Sequence, residues 1–198
     1  MRRERTVAFS DGVFAIAITL LVLSIQIPDL HGESSRQLDH LLDEELPDLI
    51  AYFIGFYVIG GFWYRHHRFF DSLKAFDPTL LVANMVFLSL IALLPFPTAV
   101  LGDHPGLKAA VVTFAVAVAL AGLADTAMLS LALRRGFLSV EEEQNRRRYV
   151  ARSLVAPVIF LVSIPLAFVH TTAAMCFWIA GLLVGPRTAT RLGWIRPW

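Results

Sequence analysis

Across its 198 residues the chain is 57% hydrophobic and 17% charged, with a mean hydropathy of +0.64, so the solvent for most of it is lipid and an ordinary soluble domain is excluded. The formal net charge of +1 conceals an uneven distribution that reports orientation and not nucleic-acid binding. The lone Cys176 excludes an intrachain disulfide framework, leaves no Cys/His cluster for structural zinc, and reads as a small packed side chain.

The N-terminal stretch through Leu23 starts like a signal peptide. Its apolar run is too long for one, however, and no small-residue cleavage site follows, so it is read as a first membrane helix. A span needs roughly 20 mostly apolar residues. Six segments approach that length, at about 6–27, 48–68, 77–101, 107–134, 153–169 and 171–186, all within one domain covering 1–198. The last two are short, contain Pro157 and Pro165, and meet at the polar turn His170-Thr171-Thr172, which suggests a shallow hairpin.

The connections set the orientation. With both termini in the cytoplasm of a multi-pass cell-membrane protein, Arg2, Arg3, Arg5, Arg65, Arg68, Lys74, the stretch from Arg134 to Arg152, Arg187, Arg191 and Arg196 all lie inside. Only Arg36 and Lys108 remain outside. Pro28 and Gly32 end the first helix, and the acids Asp29, Glu33, Asp39, Asp43, Glu44 and Glu45 form either a solvated loop face or a cation-attracting vestibule. Ser34 to Glu45 has the makings of a short surface helix. No second copy of the first helix's pattern occurs later, so any symmetry must come from several chains.

The first helix carries Arg5-x-x-x-Phe9-Ser10-Asp11 and then a run of apolar residues with Thr19 inside it. An unpaired Asp in a membrane helix costs about 2.5–3.5 kcal/mol on insertion scales, so Asp11 implies a partner or a water path. Counting about 1.5 Å of rise per residue, Asp11 falls at the depth of Trp63, His66 and His67 late in the second helix and of Asn84 early in the third. One hydrogen-bonded layer of these groups is expected. At about 100° per residue, Ile16, Leu20 and Leu23 share a stripe with Thr19 beside it, and Asp11 lies about 140° away from Ile16. That stripe faces a pore, lipid or the bundle; periodicity does not choose among them. Gly12, Ala15 and Ala17 permit close helix approach.

The pattern Arg5-x-x-x-Phe9-Ser10-Asp11 followed by Gly-Val-Phe-Ala-Ile-Ala-Ile-Thr-Leu-Leu resembles the bacterial homologues of the lysosomal potassium channel called transmembrane protein 175. Trp63-x-x-His66-His67, Asn84 and Pro95-Phe96-Pro97, at the end of the third helix, sit where that family's pattern places them; the second half matches only in layout. The resemblance implies an all-α membrane fold: six transmembrane helices per subunit, assembled as a homotetramer with helix one lining a potassium-permeable pore and no re-entrant pore loop. The sequence has no Thr-Val-Gly-Tyr-Gly-like segment from which a carbonyl filter is built. By resemblance, Ile16, Leu20 and Leu23 are the pore constrictions and Thr19 a polar ring between them. Arg5, Phe9, Ser10, Asp11, Trp63, His66, His67 and Asn84 form a structural polar layer. The implied partners are further copies of the chain and the bilayer; K+ is the permeant ion, and no cofactor is expected.

Rings of methyl groups oppose every ion, so discrimination of potassium from sodium is expected to be modest. Adjacent histidines point about 100° apart on a helix and chelate poorly, so one of His66 and His67 is expected to pair with Ser10 or Asp11, without the sequence saying which. Asp125 stands mid-helix with no evident partner, as a proton site or as a packing residue near Thr126 and Ser130. The linker from Leu138 to Arg148 reads as an amphipathic helix start, and Trp178, Trp194 and Trp198 as interface anchors. A proton-coupled transporter using Asp11, Asp125 and the histidines is the alternative. An enzyme is not expected, since paired carboxylates, Gly-x-Ser-x-Gly and convincing metal-ligand spacing are all missing.

Overall fold

The computed structural model describes residues 3–25, 45–138 and 146–191, and in the last of these the side chains of 149–181. The acidic loop through Glu44, the linker from Ser139 to Asn145, and Trp194 and Trp198 lie outside the described residues. Apart from one bridge between Leu73 and Leu138, the regular structure among the described residues is helical.

Helix α1 runs from Arg3 to Leu20 and tightens into a 3-10 turn, Leu21–Ser24, where the Ser24 hydroxyl donates to the Leu21 carbonyl at 2.8 Å. Helix α2, Leu46–Ser72, begins with Pro47 in its first turn, where a missing N–H costs nothing. Helix α3, Pro78–Leu93, is capped by Asp77, whose carboxylate accepts from the Leu80 N–H at 2.8 Å. The remaining helices are α4 (Pro95–Asp103), α5 (Lys108–Arg134), α6 (Arg146–Ser153), α7 (Val155–Val169) and α8 (Thr171–Arg191).

Pro95-Phe96-Pro97 does not end the third apolar segment. The chain breaks at Leu94, whose N–H bonds to Ile91 at 3.1 Å, and helix resumes because proline is tolerated in a first turn. Thr98 then returns both its N–H (3.2 Å) and its hydroxyl (2.8 Å) to the Leu94 carbonyl. Counting that pair as one rod, four segments among the described residues are long and apolar enough to cross a membrane: Arg3–Ser24, Leu46–Ser72, Pro78–Asp103 and Lys108–Arg134. The 15 residues of α7 rise about 22 Å, short of a hydrocarbon core of about 30 Å, and α7 and α8 meet at an extended His170.

Helix α5 is the hub, with α3, α4, α6 and α7 against it, whereas α1 rests on α2 and α3. Its buried Ala115, Ala119, Ala121 and Gly122 let neighbours come close, and the Pro157 ring of α7 seats on Gly122. Trp178 is not an interface anchor. It is fully buried, its indole N–H donating to the Ser163 hydroxyl at 2.7 Å, with the rings of Phe114 and Phe160 within 5.3 Å and 5.2 Å. Ser163 in turn donates to the Phe160 carbonyl, so the buried polar atoms are satisfied within the apolar cluster. Cys176, by contrast, is exposed on α8 and is not a packed core side chain.

The end of the bundle that carries the basic residues is stitched by both backbone and side-chain contacts. Arg3 donates to the Leu73 carbonyl at 2.7 Å, the Lys74 N–H donates to Phe137 at 2.8 Å, and Arg135 pairs with Asp77. Helix α5 stops at Gly136, whose φ of 66° allows Phe137 N–H to reach Ala132 at 3.0 Å and Gly136 N–H to reach Leu133 at 3.3 Å.

A Cβ at Gly122 would stand 2.7 Å from Pro157 Cδ, an atom of a rigid ring, whereas one at Gly60 meets nothing within 4 Å. Gly122→Ala is therefore expected to lower stability by about 1–3 kcal/mol, read as a lower thermal midpoint in detergent, with Gly60→Ala unchanged or slightly raised. An unchanged midpoint for Gly122→Ala would show that the α5–α7 contact is slack.

Candidate functional site

Polar side chains inside a membrane bundle must find partners there. Four helices supply them at one level. Measured from the basic end at about 1.5 Å per residue, Asp11, Arg65, Asn84 and Asp125 lie about 9–14 Å inward.

Ser10, His66 and Asn84 are fully buried. His66 Nε2 is 2.8 Å from Asn84 Oδ1, Asn84 Nδ2 donates to Ser10 Oγ at 3.2 Å, and the Ser10 hydroxyl donates to the Thr6 carbonyl at 2.9 Å. The donors run one way. Because the Asn84 amide gives its N–H to Ser10, its oxygen faces His66, and the imidazole carries its proton on Nε2. Its Nδ1 is buried with no hydrogen-bond partner among the described residues. Apolar rings enclose it: Phe70 at 4.5 Å, Phe14 at 5.4 Å, and Phe87 stacked at 5.8 Å.

Asp11 belongs to the same level by a second route, accepting from the Trp63 indole N–H at 3.0 Å. The histidine question resolves in favour of His66, which reaches Ser10 through Asn84 and not directly. His67 is no member of the buried layer: about 100° round the helix, it stacks on Trp63 at 5.8 Å and pairs with Asp71 at 3.4 Å, both partners well exposed. Arg5 and Phe9 also stand apart from the layer, exposed on the outer side of α1. The i, i+4 spacing that joins them in sequence puts them together on the face that α2 and α3 leave open.

Asp125 has a partner that sequence inspection overlooked. Arg65 donates to its carboxylate at 2.8 Å, and the guanidinium also lies 4.8 Å over the Phe62 ring. The signal was present in the depth count, which places both residues near one level, but Arg65 reads as one of a basic run at a helix end. Nearby Thr126 is not Asp125's partner; its hydroxyl returns to the Gly122 carbonyl at 2.8 Å.

The opposite face of α1 is bare. Ile16, Leu20 and Leu23 are 61%, 43% and 72% exposed, and Thr19 is exposed between them, while Phe14, Ala17 and Leu21 are buried against the bundle. The 3-10 turn matters here, because residues three apart eclipse in that geometry and Leu23 comes to stand above Leu20. Thr19 Oγ1 donates its proton to the Ile16 carbonyl at 2.9 Å, leaving the oxygen's lone pairs outward. Among the described residues no group of three or more His, Cys, Asp or Glu is placed to hold a metal ion.

These features define an all-helical integral membrane protein in which a polar layer locks the first helix by one face and leaves an apolar stripe on the other. Residues 5–95 match the family described as endosomal/lysosomal potassium channel TMEM175. A relative from Chamaesiphon minutus, named potassium channel Cha6605_3372, is 31% identical over 183 residues, covering 89% of this chain and 90% of its own length. Another, potassium channel B446_29190 of Streptomyces collinus, is 43% identical over 100 residues, which span 50% of this chain and about half (48%) of that relative. The crystal structure of a lysosomal potassium-selective channel TMEM175 homolog from Chamaesiphon minutus superposes with a TM-score of 0.80 at 27% identity, covering 91% of this chain and 94% of that one. The chain belongs to the TMEM175 family.

Removing one group of the relay leaves its neighbours unpaired out of reach of water. Asn84→Ala strands both the His66 N–H and the Ser10 oxygen and is expected to cost about 1–3 kcal/mol for each group so exposed. Ser10→Ala strands the Asn84 N–H alone and is expected to cost about 1–3 kcal/mol, for one such group against two. Thermal unfolding of the purified variants in detergent checks the order; equal midpoints for Asn84→Ala and wild type would mean that the relay contributes nothing to the bundle.

Proposed function

We propose that the chain is one subunit of a potassium-permeable cation channel in the cell membrane, with residues 1–198 forming a single channel domain and helix α1 lining the pore. The observation that carries this reading is the bare stripe of Ile16, Leu20 and Leu23 on a helix whose other face is pinned by the buried Asn84–Ser10 bond and by the more exposed Trp63–Asp11 bond. Lipid alone would explain an apolar stripe. It does not explain the threonine oxygen presented within the stripe, nor why the exposed side of α1 also carries Ala8, Gly12 and Ala15, small residues suited to a close neighbour. The names of the Chamaesiphon and Streptomyces relatives as potassium channels support the same assignment.

A single α1 encloses nothing, so several copies must surround the axis, and a homotetramer of six-helix subunits accommodates α7, whose 15 residues are short for a span, as a shallow one beside α8. The basic residues Arg3, Lys74 and Arg135 at one end of the bundle support a cytoplasmic position for that end and for both termini. Ile16, Leu20 and Leu23 then form rings that narrow the pore and exclude water when closed, and Thr19 offers oxygen to a partly dehydrated cation between them. Methyl rings cannot replace a hydration shell, so selection favours the ion that gives up water most cheaply: potassium over sodium, by a modest ratio. Divalent cations and anions pass poorly. The activity is conduction, not catalysis.

Flux into liposomes carrying the purified protein tests the reading, with potassium and sodium gradients beside a protein-free control. Rapid potassium flux is expected, rising several-fold in Ile16→Asn, which wets the constriction, with a K+/Na+ ratio closer to one; Leu23→Ala should shift conduction less. A potassium flux indifferent to both substitutions would remove α1 from the pore, and a slow, saturable flux that needs an opposing proton gradient would replace the channel by a transporter.

A further inference from the structure

Within little more than one turn, α2 reaches three different helices. Trp63 donates to Asp11 on α1 at 3.0 Å, His66 meets Asn84 on α3 at 2.8 Å, and Arg65 donates to Asp125 on α5 at 2.8 Å. At about 100° per residue, Arg65 points about 160° away from Trp63 and about 100° away from His66, so the three contacts brace α2 from separate directions. The first two hold α1. The third does not touch α1 at all, and α2 meets α5 over only a short stretch, in which this ion pair is the polar contact.

The geometry points to Arg65 and Asp125 as positioning residues for the pore helix: their ion pair fixes the rotation of α2, and through Trp63–Asp11 and His66–Asn84–Ser10 that rotation fixes which face of α1 is bare. Side-chain tips lie about 5–6 Å from a helix axis, so turning α2 by only about 20° moves them by about 2 Å. A displacement of that size breaks hydrogen bonds of 2.8–3.0 Å. The environment of the pair fits an orienting role. The Asp125 side chain is 8% exposed and that of Arg65 31%, and the guanidinium carbon lies over the Phe62 ring, so Asp125 is enclosed and Arg65 is held against an aromatic face. Ion pairs in such surroundings are poor sources of net stability, since apolar residues of similar volume often replace them without loss. A pair that merely held two helices together would therefore be dispensable in that exchange, whereas one that sets an angle would not.

The functional half of this inference rests on the channel reading, and the experiment separates the two. The full-length variant R65M/D125L is compared with wild type and R65K in three measurements. These are thermal midpoint, potassium and sodium flux in liposomes, and the indole 1H–15N resonance of Trp63, identified by its loss in W63F. The expected result is a midpoint close to wild type with a displaced or split Trp63 signal and a several-fold change in the K+/Na+ flux ratio, while R65K, which keeps the charge, stays near wild type in all three. A Trp63 signal and flux ratio identical to wild type in R65M/D125L would overturn the proposal, even if the midpoint falls. If R65M/D125L does not assemble, R65M, which removes the contact from its more exposed partner, is read by the same criteria. If wild type carries no potassium flux, the channel reading fails, and the Trp63 signal alone still decides whether the ion pair positions α2.

Discussion

Everything in this bundle depends on the requirement that polar atoms shielded from water by protein and lipid be paired with one another. An unpaired amide or imidazole in hydrocarbon costs several kcal/mol, and no solvent is present to repair the loss. The relay from His66 through Asn84 and Ser10 to the Thr6 carbonyl links three helices with every donor pointing the same way, and of its side-chain atoms His66 Nδ1 alone is left without a partner among the described residues. Its direction is set by the Thr6 carbonyl, which can only accept, so the Ser10 hydroxyl donates to it and in turn accepts the Asn84 amide. Packing by methyl groups is tolerant of small rotations, whereas a chain of three hydrogen bonds is not, so the relay converts a loose bundle into one with a single register.

That register gives α1 two unlike faces. One carries Thr6, Ser10, Phe14, Ala17 and Leu21 into the bundle, and the other leaves Ile16, Thr19, Leu20 and Leu23 exposed among the described residues. Had the helix been apolar all round with no polar anchor, any face could have turned outward at little cost. The 3-10 turn sharpens the distinction by stacking Leu23 over Leu20, so that the two leucines fall along one line. Local backbone geometry and a distant hydrogen-bond network thus act on the same few side chains.

The half of the chain beyond α4 solves the same problem differently. Around α7 and α8 the satisfied polar group is the Trp178 indole, matched to Ser163 inside a cluster of aromatic rings, and close approach comes from Gly122 beneath the Pro157 ring. Arg65 and Asp125 join the two halves with the one strong charge pair at membrane depth among the described residues.

Much of this was legible without coordinates. Hydropathy gave the membrane class, helix length gave the apolar rods, and depth counting put Asp11, Trp63, His66 and Asn84 at one level, because rise per residue is the same in every α-helix. Helical angle likewise separated Asp11 from the Ile16 stripe. What sequence could not decide was partner choice among groups at equal depth, since that depends on the relative rotation of helices far apart in the chain. Only the tertiary structure shows that His66 and not His67 enters the relay, that Arg5 and Phe9 face outward, and that Arg65 answers Asp125. The same limit explains Trp178, whose amphipathic ring suits either a membrane interface or a core holding a hydroxyl, and Leu94, where two prolines break a helix or restart one according to what packs beside them. Length and period are properties of one segment, and a segment's sequence carries them. Pairing is a property of two segments, and it exists only once both are in place.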